Sequence, residues 1–187
     1  MKNIGQTVNW GIIGCGDVCE VKSGPAFNKV ANSKLMAVMR RNVEKAKDFA
    51  QRHGVPNYYA DAAELINDRA VNAIYIATPP SSHEAYVEMA LKAGKPVYVE
   101  KPVTVNSASV ERMIEMERRY DGKVSVAHYR RGLPLFNKIK QLVNDRAIGK
   151  VKLILLRTLQ PPSNKIIAQT DDNWRINPEI SGGCLFH

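Results

Sequence analysis

The sequence contains few of the features that mark disulfide-rich or membrane proteins. It has only three cysteines in 187 residues, and Cys15, Cys19 and Cys184 show no paired Cys-x-x-Cys spacing. An odd number without that spacing argues against a disulfide framework or a zinc knuckle, so we expect buried or partly buried thiols. No apolar run is long enough to cross a membrane, and residues 1–7 lack the apolar stretch of a signal peptide. We therefore expect a soluble, cytoplasmic protein.

Acidic residues are scarcer than basic ones, with 18 Asp and Glu against 27 Lys and Arg and a formal net charge of +9. An excess of this size can indicate binding to polyanions. The basic residues are nevertheless spread along the chain and often adjoin acids, as in Glu44-Lys45 and Glu117-Arg118. We therefore expect a phosphate-bearing small ligand or simple solubility, with no nucleic-acid partner and no membrane partner.

Short apolar runs alternate with amphipathic helical patterns through the first two thirds of the chain. Strands are predicted over Val8–Ile13, Leu35–Met39, Val55–Tyr59, Ala73–Ala77, Val97–Glu100 and Lys123–His128. Helices are predicted from the turn after the first strand to about Val30, and over Val43–Arg52, Ala62–Asn67 with Asp61 as N-cap, Pro80–Lys92 and Ser107–Tyr120. This alternation predicts an α/β fold with a doubly wound parallel sheet.

The alternation breaks at Gly132-Leu133-Pro134. A helix is predicted over Leu135–Asn144 and a strand over Val151–Leu159, and the sequence stops at His187 without completing a second domain. We therefore predict one domain over residues 1–131. Residues 132–187 would form a linker helix and the beginning of a second, α+β domain that is cut off.

A glycine pair follows the first predicted strand, in the segment Gly14-Cys15-Gly16-Asp17-Val18-Cys19. The first glycine permits a tight turn, and the second lets the backbone approach a pyrophosphate at the start of the next helix. Cys19 stands where this fingerprint has Gly or Ala, so we expect the helix to pack slightly further from the strand. A glycine pair alone does not specify a dinucleotide site, so the prediction depends on the neighbouring strand ends.

The second predicted strand ends on Arg40-Arg41-Asn42, about where a dinucleotide-binding fold carries an acid for the ribose hydroxyls. A guanidinium cannot accept hydrogen bonds from ribose, but it can bind a 2′-phosphate through two hydrogen bonds and stack on adenine. The arginines therefore favour NADP, with NAD as the other possibility. The alternative is a solvent-exposed charge pair that precedes the helix Val43–Arg52.

A third strand end carries charged side chains, because Val97-Tyr98-Val99 runs into Glu100-Lys101-Pro102. Ligands of an open parallel sheet bind outside the carboxyl ends of its strands. Hydride transfer from an alcohol carbon to a nicotinamide needs a proton acceptor and a cation near the developing oxyanion, and Lys101 can supply the positive charge. The alternatives are that Lys101 is merely solvated and that Glu100 is only its ion-pair partner.

Four motifs in this order and spacing resemble the Gfo/Idh/MocA oxidoreductases. They are Gly-Ile-Ile-Gly-Cys-Gly at 11–16, Ala-Thr-Pro-Pro at 77–80 with His83, Ala-Gly-Lys-Pro at 93–96 and Glu-Lys-Pro at 100–102. Trp174-Arg175 and Ser181-Gly182-Gly183 are similar to the start of the family's second domain, which commonly mediates oligomerisation. The resemblance implies an NAD(P)-dependent oxidoreductase that acts on a hydroxyl carbon of a sugar, polyol or related compound and forms a homo-oligomer when full length.

The resemblance also implies roles for individual residues. The adenosine and pyrophosphate end of the cofactor would lie against Gly14, Gly16, Asp17, Val18, Arg40 and Arg41. Its middle would be lined by Thr78, Pro79, Pro80 and His83. Glu100 would approach the nicotinamide ribose, Lys101 would be the catalytic lysine, and the Lys101–Pro102 peptide bond would be cis. The nicotinamide or substrate wall would draw on His128, Tyr129, Trp174 and Arg175.

The proton acceptor of this family is usually a histidine in an Asp-x-Gly-x-His type motif that follows the Ser-Gly-Gly segment. The sequence stops at His187 before that motif, so we expect His187 not to be this histidine and the chain alone to be inactive. Two other functions stay open. One is an NAD-dependent glycoside hydrolase on the same scaffold, and the other is a sensor that binds a dinucleotide or sugar without reacting.

Overall fold

The computed structural model describes residues 7–157, 159 and 177–181. The chain divides into two compact units, one comprising residues 1–127 with 167–187 and the other residues 128–166. The first unit contains a β-sheet with its helices. The domain boundary expected at residue 131 stays a prediction.

The sheet of the first unit has six strands, all parallel, in the order β3-β2-β1-β4-β5-β6. The strands span β1 Val8–Ile13, β2 Ser33–Met39, β3 Asn57–Tyr59, β4 Ala73–Ile76, β5 Val97–Val99 and β6 Val124–Val126. The chain builds outward from β1 to β3 and then returns to place β4 on the other side of β1. The predicted doubly wound parallel sheet is confirmed, and the reversal of strand order lies between β1 and β4.

Helices cover both faces of the sheet. In the first unit they span α1 Gly24–Phe27, α2 Val43–His53, α3 Ala62–Asn67, α4 His83–Lys92, α5 Ser107–Arg119 and α7 Pro178–Ser181. One core lies under α1 and α2 and includes Ile12, Phe49 and Tyr75, whereas the other lies under α3, α4 and α5 and includes Ile13 and Ile74. Alternate residues of a strand thus enter opposite cores, which explains why the central strand β4 is buried at every position.

Side-chain caps start three of these helices. Asn42 accepts a hydrogen bond from the amide of Lys45, Asn106 accepts one from the amide of Ser109, and Asp61 accepts from two amides of α3. Each cap satisfies amides that have no partner within the helix. The predicted N-cap at Asp61 is confirmed.

The helical segment after the glycine pair is shorter and wider than predicted. Cys19–Ser23 is π-helical, α1 ends at Phe27 instead of Val30, and the amide of Gly24 donates to the carbonyl of Cys19. A Cβ on Gly24 would lie 2.3 Å from that carbonyl oxygen, so this wide turn requires glycine. The helix ends early because the Asn28 side chain accepts a hydrogen bond from the amide of Leu35 and so directs the chain into β2.

The second unit contains a 3-10 turn, Tyr129–Gly132, and α6, Pro134–Asn144, which confirms the helix predicted there. The predicted strand Val151–Leu159 is wrong for residues 151–157 and 159, which have no regular secondary structure. The apolar run has strand character in sequence, but a strand forms only against a partner that accepts its backbone hydrogen bonds. Within the described ranges, no helix is long and apolar enough to cross a membrane.

An ion-pair cluster joins the helical segment after β1 to the end of α2. Glu20 accepts hydrogen bonds from the Arg52 guanidinium at 2.7 and 2.8 Å and lies 2.9 Å from Nε2 of His53. The hydrogen bonds from Arg52 lower the pKa of Glu20 from 4.5 to about 2. The cluster therefore holds the first helical segment against α2 while Glu20 is ionised.

Glu20→Gln should remove part of the acid dependence of stability. Between pH 4.5 and about 2 the unfolded chain binds more protons at Glu20 than the folded chain, so this contribution to the free energy of unfolding falls as the pH falls. Because Arg52 is half-exposed, we expect Glu20→Gln to lower the free energy of unfolding at pH 7 by about 1 to 2 kcal/mol. Urea unfolding at pH 7 and pH 3 measures it, with the exposed Glu111→Gln as control. Equal losses in the two variants at pH 7 would contradict the assignment.

Candidate functional site

The carboxyl ends of the strands meet at one edge of the sheet, where most of the residues singled out from the sequence lie. The amide of Ala77 donates to the carbonyl of Ile13, and the amide of Glu100 donates to that of Ile76, both at 2.9 Å. The ends of β1, β4 and β5 are therefore adjacent. Because β1 and β4 flank the reversal of strand order, a crevice that can hold a ligand is expected at this point.

The glycine turn after β1 is packed tightly on one side and open on the other. Gly14 has φ of +90°, and a Cβ there would lie 2.7 Å from Cγ2 of Thr78, so only glycine fits. A Cβ on Gly16, by contrast, would meet no described atom within 4 Å. The turn is thus pressed against the end of β4 at Gly14, while Gly16 presents bare backbone to open space.

The two cysteines of this turn belong to the core. Cys15 and Cys19 are both free, with no exposed surface. Burial raises the pKa of Cys15 to about 11 and that of Cys19 to about 12, so both stay protonated at neutral pH. The expectation of buried thiols is confirmed for these two residues, and neither is suited to act as a nucleophile. Cys184 lies outside the described residues.

Arg40 and Arg41 follow β2 directly beside the glycine turn. The carbonyl of Met39 accepts hydrogen bonds from the amides of Gly14 and Cys15, which ties the turn to the residue before Arg40. The Arg40 charge also opposes the rise in the pKa of Cys15, which places the guanidinium near the turn. No ion pair holds either arginine within the described part of the chain. Their charges are therefore available to an anion.

The segment after β4 is held by His83, the first residue of α4. Its side chain is 1% exposed, with Nε2 2.7 Å from the carbonyl oxygen of Thr78 and Nδ1 3.1 Å from that of Val103. Burial lowers the pKa of His83, although the two carbonyls act in the opposite direction. A neutral imidazole ring donates one hydrogen bond, and a charged ring donates two. His83 is a buried tie between the segments after β4 and β5, with Pro80 buried beside it.

Glu100 turns back toward the sheet. Its Oε1 accepts a hydrogen bond of 2.5 Å from the hydroxyl of Tyr75, and its Oε2 accepts one of 3.2 Å from the amide of Lys101. Tyr75 was not singled out from the sequence. A tyrosine in the middle of an otherwise aliphatic buried strand was the available signal, because a buried hydroxyl needs a hydrogen-bond partner.

Lys101 is exposed and leaves the sheet at the same edge. No ion pair of its ammonium group is found within the described residues, and the Glu100 carboxylate binds Tyr75 instead. The alternative in which Glu100 is only the ion-pair partner of Lys101 is therefore not what the structure shows. The Lys101–Pro102 peptide bond is cis, as the family resemblance implies.

The remaining candidates fall into three groups. His128 and Tyr129 belong to the second unit, where both are exposed, and their place in a substrate wall stays a prediction. Trp174, Arg175 and His187 lie outside the described residues. Asp17 and Val18 follow Gly16 at the start of the helical segment, as the fingerprint requires.

A cavity of about 390 Å³ lies at the opposite edge of the sheet, away from these residues. It is lined by the beginnings of four strands and by the aromatic side chains of Trp10, Phe27 and Tyr98. The walls are almost wholly apolar, and Lys123 carries the only ionisable side chain among the lining residues other than Tyr98. No group suited to proton or hydride chemistry is concentrated there, so the carboxyl edge is the better candidate site.

Comparison with known proteins bears on the same region. A family model described as an oxidoreductase family with an NAD-binding Rossmann fold matches residues 8–128. A protein called oxidoreductase P35 from Formosa agariphila is 52% identical over 180 residues, covering 96% of this chain and 56% of the relative. The chain thus spans about half the length of that relative.

The solved structures that are similar to this chain include two with a bound cofactor. The scyllo-inositol dehydrogenase from Lactobacillus casei with bound NAD(H) and scyllo-inositol has a TM-score of 0.71 and 25% identity, over 76% of this chain and 42% of that one. A variant 3-ketoreductase from Actinomadura kijaniata in complex with TDP-benzene and NADP has a TM-score of 0.71 and 26% identity, over 78% and 44%.

His83→Ala should destabilise the first unit, because it removes a buried ring and leaves at least one carbonyl without its donor. We expect a loss of about 2 to 4 kcal/mol in the free energy of unfolding. Urea unfolding at pH 7 measures the loss, and His128→Ala, which removes an exposed imidazole, is the matched control. If the two variants unfold at the same urea concentration, the contacts of His83 with the segments after β4 and β5 do not stabilise the fold.

Proposed function

Because the chain belongs to the Gfo/Idh/MocA oxidoreductase family, whose fold is an NAD-binding Rossmann fold, we propose that it binds NADP, or less readily NAD, and transfers hydride to or from a hydroxyl carbon of a sugar, polyol or related compound. The observation that carries this proposal is the placement of the glycine turn and the Glu100-Lys101 strand end on the two sides of the end of β4, next to the reversal of strand order. A dinucleotide on this turn would extend from β2, across β1, toward β5.

The residues at this edge fit the cofactor. The open face of Gly16 provides the close backbone approach that a pyrophosphate needs, and a side chain there would fill that space. Thr78 and Pro79 follow β4 beside the turn and would contact the middle of the dinucleotide, and Glu100 would face the nicotinamide ribose. When bound, the nicotinamide supplies hydride acceptance or donation.

Lys101 would act on the substrate oxygen. Its ammonium group has no competing partner in the described residues, so it is free to donate a hydrogen bond to a hydroxyl or carbonyl oxygen at the mouth of the crevice. A positive charge there stabilises an alkoxide as the hydride leaves the carbon. The group that takes the proton would come from the second domain.

The preference for NADP rests on Arg40 and Arg41. They occupy the end of β2, where an acid would select the ribose hydroxyls of NAD, and they are unpaired among the described residues. A guanidinium favours the 2′-phosphate because it forms two parallel hydrogen bonds with it. Similar proteins have been solved with NADP and with NAD(H), so the local residues must decide the preference.

The substrate class is proposed from similar proteins and from the chemistry of the site. One neighbour was solved with scyllo-inositol and another with TDP-benzene. A neutral, hydroxyl-rich substrate agrees with the strand end after β5, where the charge of Lys101 has no ion-pair partner among the described residues. We propose that the second domain completes the substrate wall, with contributions from His128, Tyr129, Trp174 and Arg175, and that it mediates a homo-oligomer.

Arg40→Ala should weaken NADPH binding about tenfold or more and change NADH binding by less than about twofold, because only NADPH carries the 2′-phosphate. Fluorescence titration of the chain with both reduced cofactors measures the two dissociation constants. Arg69→Ala is the matched control, since Arg69 is an exposed arginine in the loop before β4 at the opposite edge. Tighter binding of NADH by the unaltered chain would defeat the Arg40 argument, and binding of neither cofactor would defeat the proposed function.

Lys101→Ala, in a form of the protein with a complete second domain, should lower turnover at least about 100-fold and leave NADPH affinity within about twofold. Absorbance at the reduced nicotinamide band with scyllo-inositol, myo-inositol and glucose measures turnover. Lys34→Ala, which removes an exposed lysine at the start of β2, is the control. Retained turnover in Lys101→Ala would remove this residue from its role. Cofactor binding without turnover of any hydroxyl compound by the unaltered protein would favour a sensor.

A further inference from the structure

Tyr75 lies in β4, a central strand of the sheet that pairs with β5. In the register between β4 and β5 it lies opposite Tyr98. Glu100 follows Tyr98 by two positions, directly after the end of β5, and projects from the same face. A diagonal neighbour of this kind is within reach of a tyrosine side chain. The hydroxyl of Tyr75 does reach Oε1 of Glu100, at 2.5 Å.

The environment of Tyr75 holds its ring in one position. The residue has no exposed surface, and its ring packs against Phe27 and Tyr98 with centroid distances of 5.2 and 5.7 Å. Burial raises the pKa of Tyr75, so the hydroxyl stays protonated and keeps donating. The donor is therefore both fixed in space and present at every physiological pH.

The Glu100 carboxylate, which accepts the hydrogen bond from Tyr75, also contacts the segment that contains Lys101. The second oxygen of Glu100 accepts the amide of Lys101 at 3.2 Å. Two residues further on, the carbonyl of Val103 lies 3.1 Å from Nδ1 of His83. The Lys101–Pro102 pair thus lies between a carboxylate that Tyr75 of β4 binds and the buried ring of His83 at the start of α4.

We propose that Tyr75 is a positioning residue, whose buried hydroxyl orients the Glu100 carboxylate and through it the backbone of Lys101. This inference rests on the proposed function for its catalytic meaning, because Lys101 is the residue so placed. The hydrogen bonds that couple Tyr75, Glu100 and Lys101 form in the chain without a cofactor. Through this coupling, a residue in the interior of the sheet determines the position of the Lys101 backbone at the end of β5.

Tyr75→Phe tests the coupling, because it removes the hydroxyl and keeps the ring. In the ¹⁵N-labelled chain without cofactor, the Lys101 amide should exchange with water about fivefold faster than in the unaltered chain, while the amides of β1 keep their rates. The matched control is Tyr98→Phe, which removes a hydroxyl from the adjacent ring that has no hydrogen-bond partner among the described residues. An unchanged Lys101 rate in Tyr75→Phe overturns the proposal.

A double-mutant cycle tests whether the Tyr75 hydroxyl acts on Lys101 through Glu100. Glu100→Ala should release the Lys101 amide to the same extent, and Tyr75→Phe in that background should add less than about 1.5-fold. A full additional effect would mean that the Tyr75 hydroxyl acts on Lys101 by a route other than Glu100, which overturns the proposal. Glu100→Ala keeps Tyr75 intact, so it still decides the Glu100–Lys101 step if Tyr75→Phe does not fold.

NADPH titration of the same variants distinguishes this inference from the proposed function. Absence of NADPH binding to the unaltered chain refutes the proposed function but leaves the exchange result on Tyr75 valid. Binding by the unaltered chain that Tyr75→Phe retains within about twofold, together with faster Lys101 exchange, supports the positioning role. Loss of NADPH binding together with faster exchange of the β1 amides would instead show a general structural role and overturn it.

Discussion

The packing of the turn after β1 against the end of β4 is the contact on which the candidate site depends. Gly14 can approach Thr78 this closely only because it has no Cβ and adopts a positive φ. The same turn donates two amides to the carbonyl of Met39, so the ends of β1, β2 and β4 are joined at one point. Any residue that loosened this point would separate Arg40 from Glu100 and Lys101.

Buried polar side chains connect β4 to the strand end that contains Lys101. Tyr75 and His83 both lie on or next to β4, have almost no exposed surface, and bind groups of the segment Glu100 to Val103. Their hydrogen bonds satisfy polar groups that the sheet buries, and they restrain a segment that has no regular secondary structure. The interior of the fold therefore supports the exposed lysine, which has no partner of its own in the described residues.

Local sequence signals predicted most elements of the first unit, because they are physical properties of short segments. The strand β1, the N-cap at Asp61 and the helix α3 agree with the structure residue by residue. Predictions failed where the outcome depends on distant partners. The run Val151–Leu159 has strand composition, yet no strand forms over its described residues. The helix after the glycine turn ends at Phe27 because Asn28 binds the amide of Leu35, a contact that periodicity does not reveal.

Local sequence patterns are enough to specify the fold class, the position of the glycine turn and the chemical character of each strand end. These follow from periodicity, from glycine and proline, and from charged residues placed after apolar runs. Which groups face each other follows from the tertiary fold and is not visible in these patterns. The fold paired Glu100 with Tyr75 and not with Lys101, and it buried His83 between two carbonyls, because strand register and the reversal between β1 and β4 bring together side chains that are distant in sequence.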